Sequence, residues 1–548
     1  MSETIPIRTG KASPPKISAT ISQSGPGGNA NSRRLGVAAA LVAGVAALGL
    51  YIRTLAPSVL VGDMGEFQFT GAILGIPHPT GYPLYTLLGK LWSMVPLRDV
   101  AYRINLSSAV YMAGAVALTA FLAWRLLNLL RPPPDPDAPA APRFLALGMA
   151  LAALAGALLF AVAGTVWAQA VVARSYALNA LLVAGCVTAL LVWWASGARP
   201  AFFAALLLIG LSFAHHGTTI TLLPGYALLL LLAEWRRRDQ EPWRRRLLRW
   251  LGGAGMFALG LTPYLLFAYR FVFGYTYYWG NPQTWADVLY LARGAPFGGQ
   301  IFAYPLTLDS QLARVGFGLD QLGLQFGPLG VALGMAGLVR LLIDRRTRPF
   351  GCGLAVLWLG NFVFAVNYGI IGHIYLIPTY IFWGIFMAVA GVWPLAVAAQ
   401  VRRPLPRFVL GTSTLLALAL LALFLAPWVA AGRYAQQDLS KDTRVRDLAL
   451  QTLAQAETGA HVYVDWESIC VLRYYRYIEH RRLDLDVESG DPMQWHEAIG
   501  KDLDAGIPVY VGGFAGPDPP APVRQQYILA RVGLVYQVLG RVPAAQQR

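Results

Sequence analysis

The hydrophobic positions of this chain gather into long runs separated by short polar tracts. Runs near 35–55, 103–129, 144–163, 176–195, 201–216, 218–234, 250–272, 323–343, 351–368, 372–396 and 408–430 each approach the roughly 20 residues that carry a helix across a bilayer. They predict eleven membrane spans. The stretch "PLYTLLGKLWSMVP" at 83–96 is apolar but too short to span, so it is expected to lie in the interface or to re-enter. From about 435 the pattern changes. "QDLSKDTRVRDLALQTLAQAE" reads as an amphipathic helix and "HVYVDW" as a strand; "ESICVLRYYRYIEH" reads as a helix, "LDLDV" as a strand, "MQWHEAIGKDLDAG" as a helix and "IPVYVGG" as a strand. Strands alternating with helices predict a small α/β domain with a mainly parallel sheet.

The expected organisation is a disordered, cytoplasmic N-terminus at 1–34, rich in Gly, Ser and Pro, then a helical membrane domain at 35–432 and an extracytoplasmic α/β domain at 433–548. The run at 35–55 has no clear cleavage site and reads as an anchor. Composition agrees: 56% of the 548 residues are hydrophobic and 13% charged, where a soluble protein carries roughly a quarter. The net charge of +16 does not point to nucleic acid, because the basic residues sit in short tracts between runs, as in "RRRDQEPWRRRLLR" at 236–249, "RLLIDRRTR" at 340–348 and "RRPLPR" at 402–407. Under the positive-inside rule these tracts, and the "RPPPDPDAPAAPR" linker at 131–143, face the cytoplasm. The segments 56–102, 164–175, 273–322, 367–373 and everything after 431 then face outward, in the plasma (inner) membrane. Cys186, Cys352 and Cys470 are too few and too scattered for a disulfide framework or a metal site.

Candidate chemistry concentrates in the first outward segment, "GDMGEFQFTGAILGIPHPTGYPLYTLLGK" at 62–90. Phe67, Gly71 and Leu74 have helical spacing, so Asp63 is an expected N-cap and Glu66 the third helical residue, close to a capping box. The other reading has both carboxylates projecting from an interfacial helix into a cleft, with Asp63 at the helix tip as a base. The two readings conflict, since a carboxylate accepting backbone N–H bonds becomes a weaker base. Ile76, His78 and Tyr82 each precede proline, which favours extended backbone, and Gly81 accepts positive φ. That stiff crossing holds His78 and Tyr82 near the carboxylates. His215 and His216, at the outer end of the fifth run, are candidates as intramembrane ionisable groups. Arg103, Arg174 and Arg293 fall near outer ends of runs, where a guanidinium holds a phosphate or simply snorkels to headgroups. His373 and Tyr375 are weaker candidates. No ligand spacing calls for a metal, and none is expected.

These segments resemble a known family. "D-x-G-E-F" followed by "G-I-P-H-P-x-G-Y-P-L-Y-x-L-L-G-K" is similar to the signature of the protein O-mannosyltransferase-like family. "VWAQAVVARSYALNALL" (166–182), "GLSFAHHGTTITLLPG" (210–225), "WGNPQT" (279–284), "YLIPTY" (375–380) and "VYVDWE" (462–467) continue the likeness in order, from about 57 to 480. The resemblance implies a GT-C glycosyltransferase fold, with its active site on the non-cytoplasmic face. It also implies a lipid-linked sugar (polyprenyl-phosphate mannose or similar) as donor, no separate cofactor, and a protein Ser/Thr hydroxyl or glycan as acceptor. It implies an aspartate base in the first outer loop, here Asp63, acting in one inverting displacement; Glu66 is the second catalytic candidate, and Trp279 of the loop motif joins the substrate-binding candidates. Two positions depart from the family pattern. Arg174-Ser175 stand where an acidic residue is expected, and Asn281 stands where Asp is expected, which leaves the sugar open. The competing classes are a multi-pass lipid or solute transporter and a membrane scaffold. Against transport, the hydropathy shows no inverted repeat and no matching pair of broken helices.

Overall fold

The computed structural model describes residues 26–130, 143–370, 372–400, 404–420, 426–489, 495–513, 518–533 and 535–543. Its helices are, in order, α1 (Pro26–Arg53), α2 (Gly62–Ile73), α3 (Pro83–Ser93), α4 (Val100–Leu129), α5 (Arg143–Ala161), α6 (Gly164–Ala170), α7 (Ser175–Ser196), α8 (Arg199–Phe213), α9 (Thr219–Arg237), α10 (Trp243–Leu261), α11 (Leu265–Phe273), α12 (Trp285–Ala292) and α13 (Leu308–Ile343). They continue with α14 (Arg348–Asn367), α15 (Gly372–Tyr375), α16 (Ile377–Gln400), α17 (Pro404–Leu420), α18 (Ala426–Gln437), α19 (Arg444–Gln455), α20 (Trp466–Ile478), α21 (Trp495–Asp504) and α22 (Ala521–Gln526).

Each of the eleven predicted runs is helical over most of its described residues. Among the described residues, seven helices are long and apolar enough to cross a membrane; an eighth span arises if α5 and α6, bent by 70° at their junction, count as one. The protein is an integral membrane protein. The stretch 83–96 forms only the 11-residue α3, too short to span, as expected. Three boundaries differ. Helix α1 begins at Pro26 and not at 35, so the N-terminal tail expected to end at 34 is helical in its last part, and residues 1–25 lie outside the described residues. Helix α13 begins at Leu308 and not at 323, and is broken inside by Gly327, at φ 69° and ψ 170°, before Pro328. Helix α18 runs through the expected domain boundary at 432–433. The linker at 131–143, all but its last residue, and Arg402 and Arg403 of the tract at 402–407 fall outside the described residues.

The C-terminal domain has five strands, β1 (His461–Val464), β2 (Asp486–Glu488), β3 (Val509–Gly512), β4 (Tyr527–Val532) and β5 (Val535–Arg541), in the order β2-β1-β3-β5-β4. Strand β1 pairs parallel with β2 and β3, whereas β3–β5 and β5–β4 are antiparallel. The sheet is therefore mixed, not mainly parallel. Its antiparallel half is a hairpin, β4–β5, turning through Gly533 at φ +59°. The domain is not a free appendage. Val59, Phe69, Ala101 and Tyr277 of the membrane part share one hydrophobic cluster with Cys470, Leu472, Tyr474 and Tyr475 of α20. The Tyr474 hydroxyl also accepts the Ala101 amide at 3.2 Å, tying α20 to the first turn of α4.

Candidate active site

Local backbone chemistry sets the direction of the two carboxylates. Gly62 opens α2 at φ +56°, after an extended Val61, and no side chain caps this end. The expected capping box is thus absent: Asp63 is not the N-cap, and Glu66 does not return to a cap amide. A side chain at Gly62 would strike the Glu467 carboxylate, and one at Gly65 would meet the Leu60 carbonyl and Cys470, so α20 lies directly on the start of α2. The helix ends at Ile73, where Leu74 turns left-handed at φ 53° and the Gly75 amide returns to the Thr70 carbonyl at 2.8 Å. The chain then clasps the 277–279 segment. Ile76 donates to the Tyr277 carbonyl at 3.0 Å, and Trp279 donates back to Ile76 at 2.9 Å.

Tyr82 departs from expectation: although it precedes Pro83, it is left-handed, at φ 42° and ψ 52°. Tertiary packing overrides the local preference here. Its buried ring meets Phe67 at 5.1 Å, His78 at 5.2 Å and His216 at 5.5 Å between centroids. The Leu84 amide is meanwhile drawn to the Ala214 carbonyl at 3.0 Å.

The two carboxylates have different surroundings. Glu66 is fully buried. It accepts the His78 amide at 3.1 and 3.2 Å, the His78 Nδ1–H at 2.5 Å and the Tyr277 hydroxyl at 2.8 Å. Asp63 keeps 30% of its side chain exposed. Its Oδ2 accepts from Arg174 Nη1 at 2.7 Å, its Oδ1 accepts from the Trp466 indole at 3.0 Å, and His78 Nδ1 lies 4.0 Å from Oδ1. Burial alone would raise the Asp63 carboxyl, but the charges of His78 and Arg174 and the Trp466 hydrogen bond outweigh it and hold it below its ordinary value. Burial alone would lower His78, but contact with Glu66, aided by Asp63, raises it. Burial, with the Asp63 charge behind it, raises the Glu467 carboxyl.

Arg174 is placed by a buried polar lattice that sequence reading missed. Gln68 and Asn105, both fully buried, join at 2.8 Å. Gln68 accepts the Leu60 amide at 2.9 Å, and Asn105 donates to the Ala56 and Ser58 carbonyls and accepts the Ala173 amide at 2.9 Å. This lattice locks the segments before α2 and before α7 side by side, so Arg174 meets Asp63.

A cavity of about 540 Å³ opens over Asp63. Asp63, His78, Tyr82, His216, Trp279, Arg293 and Tyr375, seven of the sequence candidates, line it together with Tyr176, Tyr368 and Trp466. Its wall is largely aromatic, and Arg293 is exposed with no carboxylate partner among the described residues. Glu66, Arg174 and His215 stand behind the wall. His215 Nε2 donates to the Ser175 carbonyl at 2.8 Å, and His216 Nδ1 accepts from the Thr218 hydroxyl at 2.8 Å. Arg103 is elsewhere. Its guanidinium donates to the carbonyls of Ser93, Leu97 and Arg98 at and after the end of α3, and it does not line the cavity. Asn281 is likewise local: it occupies a left-handed turn position at φ 45° and accepts the Tyr275 hydroxyl at 2.6 Å, a place that suits Asn and Asp alike. Trp466 and Tyr277 were not among the candidates, although "VYVDWE" and "YTYYWG" contain them.

Residues 63–240 match the model of the protein O-mannosyl-transferase TMEM260 N-terminal domain. The chain is 26% identical over 327 residues to protein O-mannosyl-transferase tmem260 of Dictyostelium discoideum, covering 55% of this chain and 36% of that protein. It is 41% identical over 88 residues to protein O-mannosyl-transferase TMEM260 of Mus musculus, covering 16% of this chain and 12% of that one. It thus spans about a third of the first relative's length and about an eighth of the second's. Among solved structures, it is similar to ArnT from Cupriavidus metallidurans bound to undecaprenyl phosphate, with TM-score 0.58 and 14% identity over 92% of this chain and 98% of that one. The apo state of the same protein gives TM-score 0.56 and 16% identity over 94% and 99%. At these identities the likeness is one of fold, and the fold is the GT-C architecture.

Proposed function

We propose that this chain, which carries the protein O-mannosyltransferase-like domain in a GT-C membrane fold, is a membrane glycosyltransferase that moves a sugar from a polyprenyl-phosphate carrier to a hydroxyl. The observation that carries this reading is Asp63, a partly exposed carboxylate lining an aromatic-rich cavity whose wall also holds a guanidinium, Arg293, with no carboxylate partner among the described residues. The names of the relatives favour mannose as the sugar and a protein hydroxyl as the acceptor. The ArnT neighbour, solved with undecaprenyl phosphate, favours a polyprenyl-phosphate donor. The cavity and the C-terminal domain are read as lying on the extracytoplasmic side, with the N-terminus inside, because the basic tract at 236–249 lies at the other end of α9.

In this reading the carrier's phosphate pairs with Arg293, and the sugar lies against the aromatic wall. The acceptor hydroxyl oxygen bonds to the anomeric carbon on the face opposite the phosphate, and its proton passes to Asp63. The bond from anomeric carbon to phosphate oxygen breaks, with the electron pair leaving on the phosphate, so the anomeric centre is inverted. The leaving oxygen belongs to an already ionised phosphate and needs no general acid; Arg293 offsets the charge it gains. A carboxylate held below its ordinary pKa suffices as base, because the hydroxyl becomes strongly acidic as its oxygen bonds to an oxocarbenium-like carbon. Glu66, already engaged by His78 and Tyr277, fixes the loop and takes no proton in this scheme.

The test uses purified full-length protein, radiolabelled polyprenyl-phosphate mannose and Ser/Thr acceptor peptides, with Asp63→Asn alongside. Transfer by the wild type and its loss in Asp63→Asn are expected. Transfer undiminished by the substitution removes Asp63 as base. No transfer from any polyprenyl-phosphate sugar overturns the reading in favour of transport or scaffolding.

A further inference from the structure

We propose that Trp466, carried by the C-terminal domain, is a positioning residue for the Asp63 carboxylate, so that the base is complete only when α20 is docked on α2. The inference rests on the transferase reading for its catalytic meaning and on geometry for its substance. An indole N–H is a donor and nothing else. Here it meets Oδ1 of Asp63 at 3.0 Å while Arg174 meets Oδ2 at 2.7 Å. One donor leaves a carboxylate free to rotate about its side-chain bonds; two donors on different oxygens, fixed to different parts of the molecule, do not. Arg174 is fixed by the Gln68–Asn105 lattice. Trp466 is fixed by α20, whose first turn is capped by Asp465 accepting the Ser468 amide at 2.8 Å, and whose flank lies against Gly62 and Gly65.

The two donors are not equivalent. Arg174 brings a full positive charge, which stabilises the anion and weakens the base. Trp466 is neutral, and orients the carboxylate with a smaller loss of basicity. Its ring also lines the cavity, so the residue that aims the carboxylate is part of the wall against which a substrate rests. The groups facing Asp63 are His78, Glu66 and Tyr82 from α2 and the following loop, Arg174 and Tyr176 from the start of α7, and Glu467 beside Trp466 on α20. A change in the Asp63 ionisation on altering Trp466 is read against that constant background.

The experiment compares full-length wild type with Trp466→Phe, which keeps an aromatic wall and lacks the donor. A roughly tenfold or larger fall in kcat is expected, the scale of losing a hydrogen bond to a charged group. The donor KM should stay within about twofold, since the phosphate site is untouched. The acid limb of the kcat/KM profile should move to higher pH, because the anion has lost a stabilising donor. A packing role would lower activity without moving that limb, and an unmoved limb overturns the proposal. Infrared titration of the carboxylate, taken as a difference from Asp63→Asn in each background, reads the same ionisation without turnover. It therefore decides the role of Trp466 even if the wild type transfers nothing and the transferase reading falls. Should Trp466→Phe lose its cooperative melt, benzothienylalanine at 466, which matches indole in shape and lacks the N–H, replaces it in both measurements. An unchanged Asp63 midpoint there also overturns the proposal.

Discussion

Helix α9 has a cluster of charges at each end, and the two clusters behave differently. At its far end Glu234 accepts from Arg246 and Arg249, each at 2.6 Å, and Glu241 accepts from Arg249 and, at 3.2 Å, from Arg199. Arg249 is only 5% exposed, and no member of this cluster lines the cavity. At the other end Asp63, Glu66, His78 and Arg174 also pair, but around a void that Asp63 and His78 border. Opposite charges in contact are common to both. What separates a lock from a candidate site is access: the far cluster closes on itself and joins α8, α9 and α10, while the near one leaves a carboxylate exposed to whatever fills the cavity.

The largest expected effect tests that distinction. Asp63→Asn should lower transfer by about 10²–10⁴-fold, the range of general-base catalysis, with little change in melting temperature. Glu66→Ala should act as a break in the lock within the same cluster. It leaves His78 and Tyr277 without their buried acceptor, and should destabilise the protein by about 3 kcal/mol in chemical or thermal unfolding. Glu234→Ala should destabilise by about 2 kcal/mol, because Arg246 loses its carboxylate and the buried Arg249 keeps only Glu241, while kcat of the remaining folded protein stays unchanged. If Glu234→Ala lowers kcat per folded molecule, the two ends are coupled and the comparison fails. Arg293→Gln should raise the donor KM about tenfold, and stability should hold.

The smallest effect is in pH. The Asp63 pKa is depressed below its ordinary 3.8, so its contribution to stability is present above that value and is lost as pH falls through the folded pKa. The His78 pKa is raised above its ordinary 6.5, so its contribution is full below that value and is lost as pH rises through the folded pKa. Both contributions are complete between about pH 4 and pH 6.5. Melting temperature should therefore fall on either side of that window, and His78→Gln should flatten the alkaline side most and the acid side in part, since the His78 charge helps to hold the Asp63 carboxyl down.

Features set by local pattern were legible in the sequence. The eleven apolar runs, the short α3 and the first three strands follow from length and periodicity, which depend on neighbours a few positions apart. The early start of α13 was hidden because Asp309, Gln311, Arg314 and Asp320 interrupt its apolar run. The candidate site was half legible. The motif at 62–90 gave Asp63, Glu66, His78 and Tyr82, but the role of Asp63 turns on Arg174, 111 positions away, and Trp466, 403 positions away. Local spacing predicted a cap; Gly62, at positive φ, starts the helix without one, and partners from elsewhere in the chain take the carboxylate. Arg103 lies apart from the cavity for the converse reason: carbonyls only five to ten positions away take its guanidinium.

The docking of α20 on α2 also has a consequence in time. A ribosome adds roughly 5–20 residues per second, so the 403 positions between Asp63 and Trp466 correspond to roughly 20–80 s of synthesis. Once Arg174 is made, 111 positions after Asp63, the nascent chain holds the acid and its counter-ion and lacks the indole. The C-terminal domain carries that donor, so a chain interrupted ahead of that domain holds the carboxylate and its arginine partner without the indole.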